Sequence, residues 1–292
     1  MIKLIVILGQ TATGKTELAV KLAAKFKAEI ISADSRQIYK DMQIGTGQDL
    51  KKYKHIPYHL INLIPPNQQF SLAEYQKKCL QKIKQVQARG KLPFLVGGTG
   101  LYISAVVDNY QIPAVKPDPR IKAKLAKLNK KDKIKMLKKL DNAALNFVDI
   151  DNPRRLERAL EVCLSGQKFS ESRKKNKSIF NILQIGIKKP RQKLNSLIDQ
   201  RVNKMIKQGL INETKKIIKK YGLKSIPLQT IGYAEIIDYL NKKTTLSEAV
   251  ELIKIHTHQL AKRQMAWFKR DKHINWITNY NQAEKLISNF LK

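Results

Sequence analysis

An unbroken apolar run, Leu4-Ile5-Val6-Ile7-Leu8, leads straight into Gly9-Gln10-Thr11-Ala12-Thr13-Gly14-Lys15-Thr16, and the hydrophobic period then changes. A continuous apolar run is the pattern of a strand buried on both faces of a parallel sheet. From Gly14 onward, Leu18, Leu22 and Phe26, with Ala19 and Ala23, fall on one stripe of a helix. The eight residues between match G-x-x-x-x-G-K-[ST] at every defined position, with the strand before and the helix after that the motif requires. Its glycines let backbone N–H groups converge on phosphate oxygens, and the helix N-terminus adds partial positive charge. Lys15 would meet the terminal phosphates and Thr16 would help hold Mg²⁺. The motif is silent on what the phosphates are attached to.

The first ~110 residues continue as alternating strands and helices. Glu29 to Asp34 reads as a second strand. Ser71-x-x-Glu74 is a capping box opening a helix with Leu72, Tyr75, Cys79, Ile83 and Val86 on its apolar side, stopped by Gly90. Pro93 to Val96 is the next strand and ends in Gly97-Gly98-Thr99-Gly100. Pro113 to Pro119 breaks the pattern, and a Lys-rich helix is expected from Arg120 to Leu140. Asn152-Pro153 opens another helix, closed by Gly166; Ser170 to Ser178 is a polar, cationic loop. Ile179 to Ile187 returns to a buried strand, followed by helices at Leu194–Lys207 and Ile211–Tyr221. A long helix runs from a Thr245-x-x-Glu248 capping box to about Arg270, and His273 to Ile277 is a last strand. The expected fold class is therefore α/β: a P-loop-containing parallel sheet with flanking helices and a smaller, mainly helical inserted domain. Residues 1–111 and 179–292 would form the catalytic domain and 112–178 the insertion.

Charge narrows the partner. The chain of 292 residues carries 57 Lys and Arg against 23 Asp and Glu, a net +34. A field that positive favours a polyanion, nucleic acid before an anionic membrane, over charge serving solubility alone. Cys79 and Cys163 lie far apart in helical patterns and read as buried thiols of a reducing compartment. The opening apolar run is too short for a signal segment and no run approaches a membrane span, so a cytoplasmic, soluble protein is expected.

An NTPase needs an apolar strand ending in an acid that holds the metal. The strand Phe94-Leu95-Val96 ends in Gly97-Gly98-Thr99 instead, and the acid stands elsewhere, at Asp34. Asp34 is placed either to cap a loop or to take a proton from an acceptor beside the phosphates.

The series GQTATGKT, DSRQIY from Asp34, Ile44-Gly45-Thr46, and GGTGLY from Gly97 resembles the tRNA dimethylallyltransferases, which prenylate the adenine just 3′ of the anticodon. The likeness continues through Asn152-Pro153-Arg154-Arg155-Leu156-Glu157-Arg158, Asp199-Gln200-Arg201, Thr230-Ile231-Gly232-Tyr233 and Gln259-Leu260-Ala261-Lys262-Arg263-Gln264, nearly the whole chain in order. The resemblance implies that the cradle holds the diphosphate of dimethylallyl diphosphate, with Mg²⁺ as cofactor. Asp34 would be the general base for the adenine amine, Thr99 would sit beside the reacting atoms, and Arg201 would bind the leaving diphosphate. It further implies that Asp34, Ser35, Arg36, Gln37, Thr99, Lys122, Arg154, Arg155, Leu156, Glu157, Arg158, Thr230, Gly232, Tyr233, Lys262, Arg263 and Gln264 meet the tRNA anticodon stem-loop, the enzyme acting as a monomer without a membrane.

Three departures from the family pattern stand out. Gln10 replaces a proline; Gly47-Gln48-Asp49 replaces Ala-Lys-Pro, which removes a lysine near the expected substrate channel; and Lys122 replaces an arginine. Other readings remain open on the residues alone. Arg154, Arg155 and Arg158 could be a solvated face paired with Glu157 and Glu161. Lys254, His258, Lys262, Arg263, Lys269 and Arg270 give the long helix a phosphate-binding side, whereas Trp267 falls on its apolar stripe and reads as core. His55 and His59 read as structural. The rival activities are a small-molecule kinase, a prenyltransferase acting on free adenine nucleotides, and a nucleic-acid-stimulated NTPase.

Overall fold

The computed structural model describes residues 1–292 apart from 114, 116, 117 and 174–176, with the backbone alone of 172 and 173. The expected break at 113–119 and the cationic loop at 170–178 therefore lie partly outside the described residues. The chain divides into two compact units, Met1–Val107 with Ile179–Lys292, and Asp108–Ser178.

The larger unit is built on β1 (Ile2–Gly9), α1 (Lys15–Lys25), β2 (Ala28–Ser32), the single turn α2 (Gln43–Thr46), β3 (Tyr58–His59), α3 (Leu72–Ala88), β4 (Leu92–Gly97) and α4 (Gly100–Val107). The smaller unit holds α5 (Pro119–Ala126), α6 (Lys130–Leu140) and α7 (Pro153–Leu164). The larger one resumes with β5 (Phe180–Ile187), α8 (Arg191–Lys207), α9 (Leu210–Tyr221), α10 (Tyr233–Leu240), α11 (Leu246–Phe268), β6 (Ile274–Ile277) and α12 (Tyr280–Leu291).

The strands form one parallel sheet in the order β3-β2-β4-β1-β5-β6. β1 lies inside it, with Ile5 opposite Phe94 on one side and Leu183 on the other. Its alternate residues feed two cores. Leu4, Val6 and Leu8 face a cluster with Tyr75 of α3, Ile198 of α8 and Ile253 of α11; Ile5 and Ile7 face another with Leu22 of α1 and Ile287 of α12. Full burial of each such side chain contributes roughly 1.5–3 kcal/mol before entropy is counted, which locks the strand that carries the cradle.

The smaller unit has its own core around Leu125, Leu137, Leu156 and Leu160. The single helix expected from Arg120 to Leu140 is two, because Asn129 turns the chain and caps α6 through the Asp132 N–H at 2.9 Å. The capping boxes at Ser71 and Thr245 open α3 and α11 as expected. No helix among the described residues is long and apolar enough to cross a membrane.

Candidate active site

Because β1, β2 and β4 are parallel, their carboxyl ends converge, and a crevice of about 410 Å³ opens there. Lys15, Thr16, Asp34, Ser35, Arg36, Gln37, Thr99 and Arg201 all line it. The cradle follows β1 with Gly14 in the left-handed region at φ 87°, capping α1 without a side chain. Thr13 Oγ1 and Lys15 Nζ both donate to the Gln10 carbonyl, so the loop is closed on itself. Burial pulls the Lys15 ammonium down to about 8; the Asp34 carboxylate opposes this and the Arg201 guanidinium adds to it. Burial likewise lowers Arg201, again against the pull of Asp34. An acid and two part-buried cations thus face one space, the electrostatics of an anion site.

Asp34 follows β2 by two residues, and one of its oxygens accepts the Arg36 N–H at 2.9 Å. It therefore caps its turn and also faces the crevice. Thr99 is held by its neighbour: its Oγ1 accepts the Ser35 N–H at 3.0 Å and lies 3.3 Å from the Ser35 hydroxyl. Gly97, where an NTPase would place its acid, is pressed onto the Ala33 carbonyl, which a Cβ would meet at 2.1 Å.

The floor of the crevice comes from α11. Gln10, in place of the family proline, donates from Nε2 to the Ala261 carbonyl at 2.9 Å. One turn on, the Gln264 carboxamide accepts the Thr11 N–H at 2.8 Å and donates to the Gly98 carbonyl at 2.9 Å. Both polar ends of Gln264 are thus engaged within the protein. Trp267, expected in the core, packs against Gly100, where a Cβ would lie 2.3 Å from the indole, and its Nε1 donates to Ser104 at 3.4 Å. It is partly buried, packs against the core cluster as expected, and lines the crevice with Leu260, Ile253, Met205 and Val202, which give it an apolar portion.

Gln48 explains its own departure. Its amide nitrogen donates to the Gln37 and Tyr39 carbonyls at 2.9 and 3.1 Å from a position 5% exposed. The residue expected to have removed a lysine from the channel instead ties down the segment carrying Arg36 and Gln37.

Of the residues expected to meet RNA, Lys262 and Arg263 are exposed on α11, and Lys122, Arg154 and Arg155 are exposed in the smaller unit. Gly232 lines the crevice, whereas Thr230 bonds the Pro227 carbonyl at 2.7 Å. Arg155 pairs with Asp149 at 3.3 Å, Arg158 with Glu161 at 3.0 Å, and Glu157 with Lys133 at 2.6 Å. Leu156 and Tyr233 are 1% and 0% exposed, so neither offers RNA a side-chain surface. His258 is engaged by Asp199 at 2.9 Å. His59 is part-buried and away from the crevice, 2.6 Å from the buried Glu29, whose carboxylate also takes the exposed Arg89 in a two-pronged bond. Both cysteines are free and buried.

No group of three or more His, Cys, Asp and Glu side chains among the described residues is placed to hold a metal. Thr16, which lines the crevice, is the one expected metal contact. That donor set suits Mg²⁺, which keeps water and binds largely through phosphate oxygens.

The family model for IPP transferase matches residues 37–271, and the model for isopentenyl transferase matches residues 2–56. A tRNA dimethylallyltransferase of Carboxydothermus hydrogenoformans is 40% identical, with 98% of this chain and 95% of the relative covered. The solved tRNA isopentenylpyrophosphate transferase of Bacillus halodurans is 33% identical with a TM-score of 0.75, covering 100% of this chain and 96% of that one. A eukaryotic dimethylallyltransferase acting on tRNA is 28% identical, TM-score 0.83, covering 99% and 77%. With the cradle, the Asp34 turn and Arg201 gathered at the ends of one parallel sheet, this chain belongs to the IPP transferase family.

Proposed function

We propose that this protein transfers the dimethylallyl group of dimethylallyl diphosphate to the exocyclic N6 amine of the adenosine 3′-adjacent to the anticodon in tRNA. The observation that carries it is the meeting in one crevice of the cradle's Lys15 and Thr16 with Asp34, Thr99 and Arg201. The adenine nitrogen forms a bond to the allylic carbon as the C–O bond breaks, and the electron pair leaves on diphosphate. Asp34 takes the amine's proton through the oxygen not occupied by the Arg36 N–H. Lys15 and Arg201 neutralise the departing charge. Thr16 would hold Mg²⁺ together with diphosphate oxygens, and the ion supplies further neutralisation of the leaving group. Thr99, fixed by Ser35, is available to the amine, and the apolar portion around Leu260 and Trp267 suits a five-carbon chain.

Arg36, Lys262 and Arg263, with Lys122, Arg154, Arg155 and Arg158 of the smaller unit, supply the cations for the anticodon stem-loop, consistent with the net +34. A cytoplasmic, monomeric enzyme is part of this reading. A small-molecule kinase is disfavoured by Gly97 and Gly98 where a metal-holding acid is needed. The test incubates the protein and Mg²⁺ with labelled dimethylallyl diphosphate and either tRNA or AMP. Label in tRNA alone is expected; label in AMP, or ATP hydrolysis without transfer, would overturn the reading.

A further inference from the structure

One wall of the crevice is a segment of backbone, Gly45-Thr46-Gly47, that contributes no long side chain. It is the end of α2 with its C-cap, Gly47, and α2 is a single turn whose N-cap, Met42, offers no side-chain acceptor. A turn that short leaves its first N–H groups without intrahelical partners and is not stable on its own. The partner comes from behind, from α9. Glu213 accepts the Ile44 N–H at 2.8 Å through Oε2 and the Gly45 N–H at 3.0 Å through Oε1. The same Oε1 accepts the Tyr233 hydroxyl at 2.7 Å, and the Tyr233 ring fills the space against Gly45, where a Cβ would lie 2.4 Å away. Behind the turn is an open cavity of about 880 Å³ lined by Asp41, Ile44, Glu213 and Lys220. At its edge the far end of α9 repeats the contact, Lys220 and Tyr221 meeting Asp41 at 2.8 and 2.6 Å.

In front of the wall stands Arg201. Its Nη2 donates to the Thr46 carbonyl at 3.4 Å, and it lies so close to Gly47 that a Cβ there would sit 1.9 Å from that nitrogen. The turn therefore has a carboxylate fixed behind it and a guanidinium resting on its face. We infer that Glu213, held by Tyr233, is a positioning residue that sets Arg201 for the diphosphate. It acts through the backbone of residues 44–47. Charge-assisted bonds to backbone N–H groups are the stronger kind, and losing them releases two donors and the turn together. This rests on the crevice being a diphosphate site.

The experiment is a double-mutant cycle read by calorimetric binding of inorganic diphosphate with Mg²⁺, alongside kcat and KM for transfer to tRNA. Glu213→Ala is expected to weaken diphosphate binding roughly tenfold, and Arg201→Ala at least as much, while the double variant is no weaker than Arg201→Ala within about twofold. Affinity for tRNA stays within about twofold, and Glu213→Gln, which keeps one acceptor, recovers part of the loss. Tyr233→Phe, which keeps the ring, carries the same cycle where Glu213→Ala fails to fold. Additive losses, or a folded Glu213→Ala with wild-type diphosphate affinity, would overturn the inference. A wild-type protein that binds diphosphate without alkylating tRNA would remove the proposed activity and leave this cycle intact.

Discussion

The Gln264 carboxamide joins two separate strand ends, accepting the Thr11 N–H at 2.8 Å and donating to the Gly98 carbonyl at 2.9 Å. A single residue of α11 thereby sets the spacing between the cradle after β1 and the turn after β4. The same helix exposes Lys262 and Arg263.

Gln264→Ala is expected to lower kcat at least ~10-fold, because removing either bond frees one side of the site. Gln264→Glu keeps the acceptor for Thr11 but sets a carboxylate against the Gly98 carbonyl, and is expected to be no better. Steady-state kinetics with tRNA in excess decides this, and wild-type kcat in both variants would show the bridge to be dispensable.

Asp34→Ala is expected to reduce turnover at least ~100-fold while tRNA binding survives. Asp34→Asn separates the two jobs of this residue, since an amide oxygen can still accept the Arg36 N–H but cannot take a proton. Turnover near wild type in the Asn variant would leave Asp34 a turn cap alone.

The affinity for diphosphate is expected to fall as pH rises through about 8, where the part-buried Lys15 ammonium loses its proton. Only the cation attracts the anion, so the fall can reach tenfold per pH unit. Bound diphosphate raises Lys15 again, so binding above about pH 8 takes up a proton, which calorimetry in buffers of different ionisation enthalpy measures. Constant affinity between about pH 7 and pH 9.5 would contradict this.

Gln48→Ala is expected to destabilise the protein by about 1–3 kcal/mol, by leaving the Gln37 and Tyr39 carbonyls without their donor. Gln48→Glu should cost more, since it brings a charge against two acceptors at a buried position. Denaturant melts give the order directly; equal stability of the three proteins would refute the assignment.

Neutralising Lys262 and Arg263 together is expected to weaken tRNA binding and to reduce the salt dependence of log Kd by roughly 0.7–0.9 for each phosphate that is no longer neutralised. Titrations across about 50–200 mM salt read that slope. A change in affinity without a change in slope would place these residues away from the phosphates.

Much of the site was legible because its parts are motifs with a physical reason. The cradle needs its glycines at fixed offsets, and Leu4 to Leu8 announce a strand buried on both faces. Elements too short to show a period were not legible: β3 is two residues, α2 one turn. The division of 120–140 into two helices was available in Asn129 and Asp132, a cap hidden inside a lysine run. The helices α4 and α10 start on the last residues of the GGTGLY and Thr230-Ile231-Gly232-Tyr233 motifs and run on past them, and α12 lies beyond every motif, so a reading led by motifs misses all three. Glu213 in the stretch Asn212-Glu213-Thr214-Lys215-Lys216 looks like any solvated acid on a basic helix. Its partners Ile44 and Gly45 are 169 and 168 residues away, and no local pattern encodes that distance. For the same reason Gln10 reads as a departure from a pattern although Ala261 is its partner in space, and Gln48 does so because its partners are backbone carbonyls, which no residue type marks.

The position of β1 in the sheet sets the order in which the enzyme can be made. β4 reaches its side within the first ~100 residues, but its other neighbour, β5, is not translated until Phe180 to Ile187. At ~5–20 residues per second the strand bearing the cradle stays half-paired for several seconds on the ribosome. Meanwhile Asp108–Ser178, which has a core of its own, can collapse first and shorten the loop to be closed. Parallel pairing across such a separation is slow to nucleate. Folding of the larger unit is therefore expected to lag behind the arrival of β5, with the open edge of β1 as the surface on which nascent chains of this protein would associate.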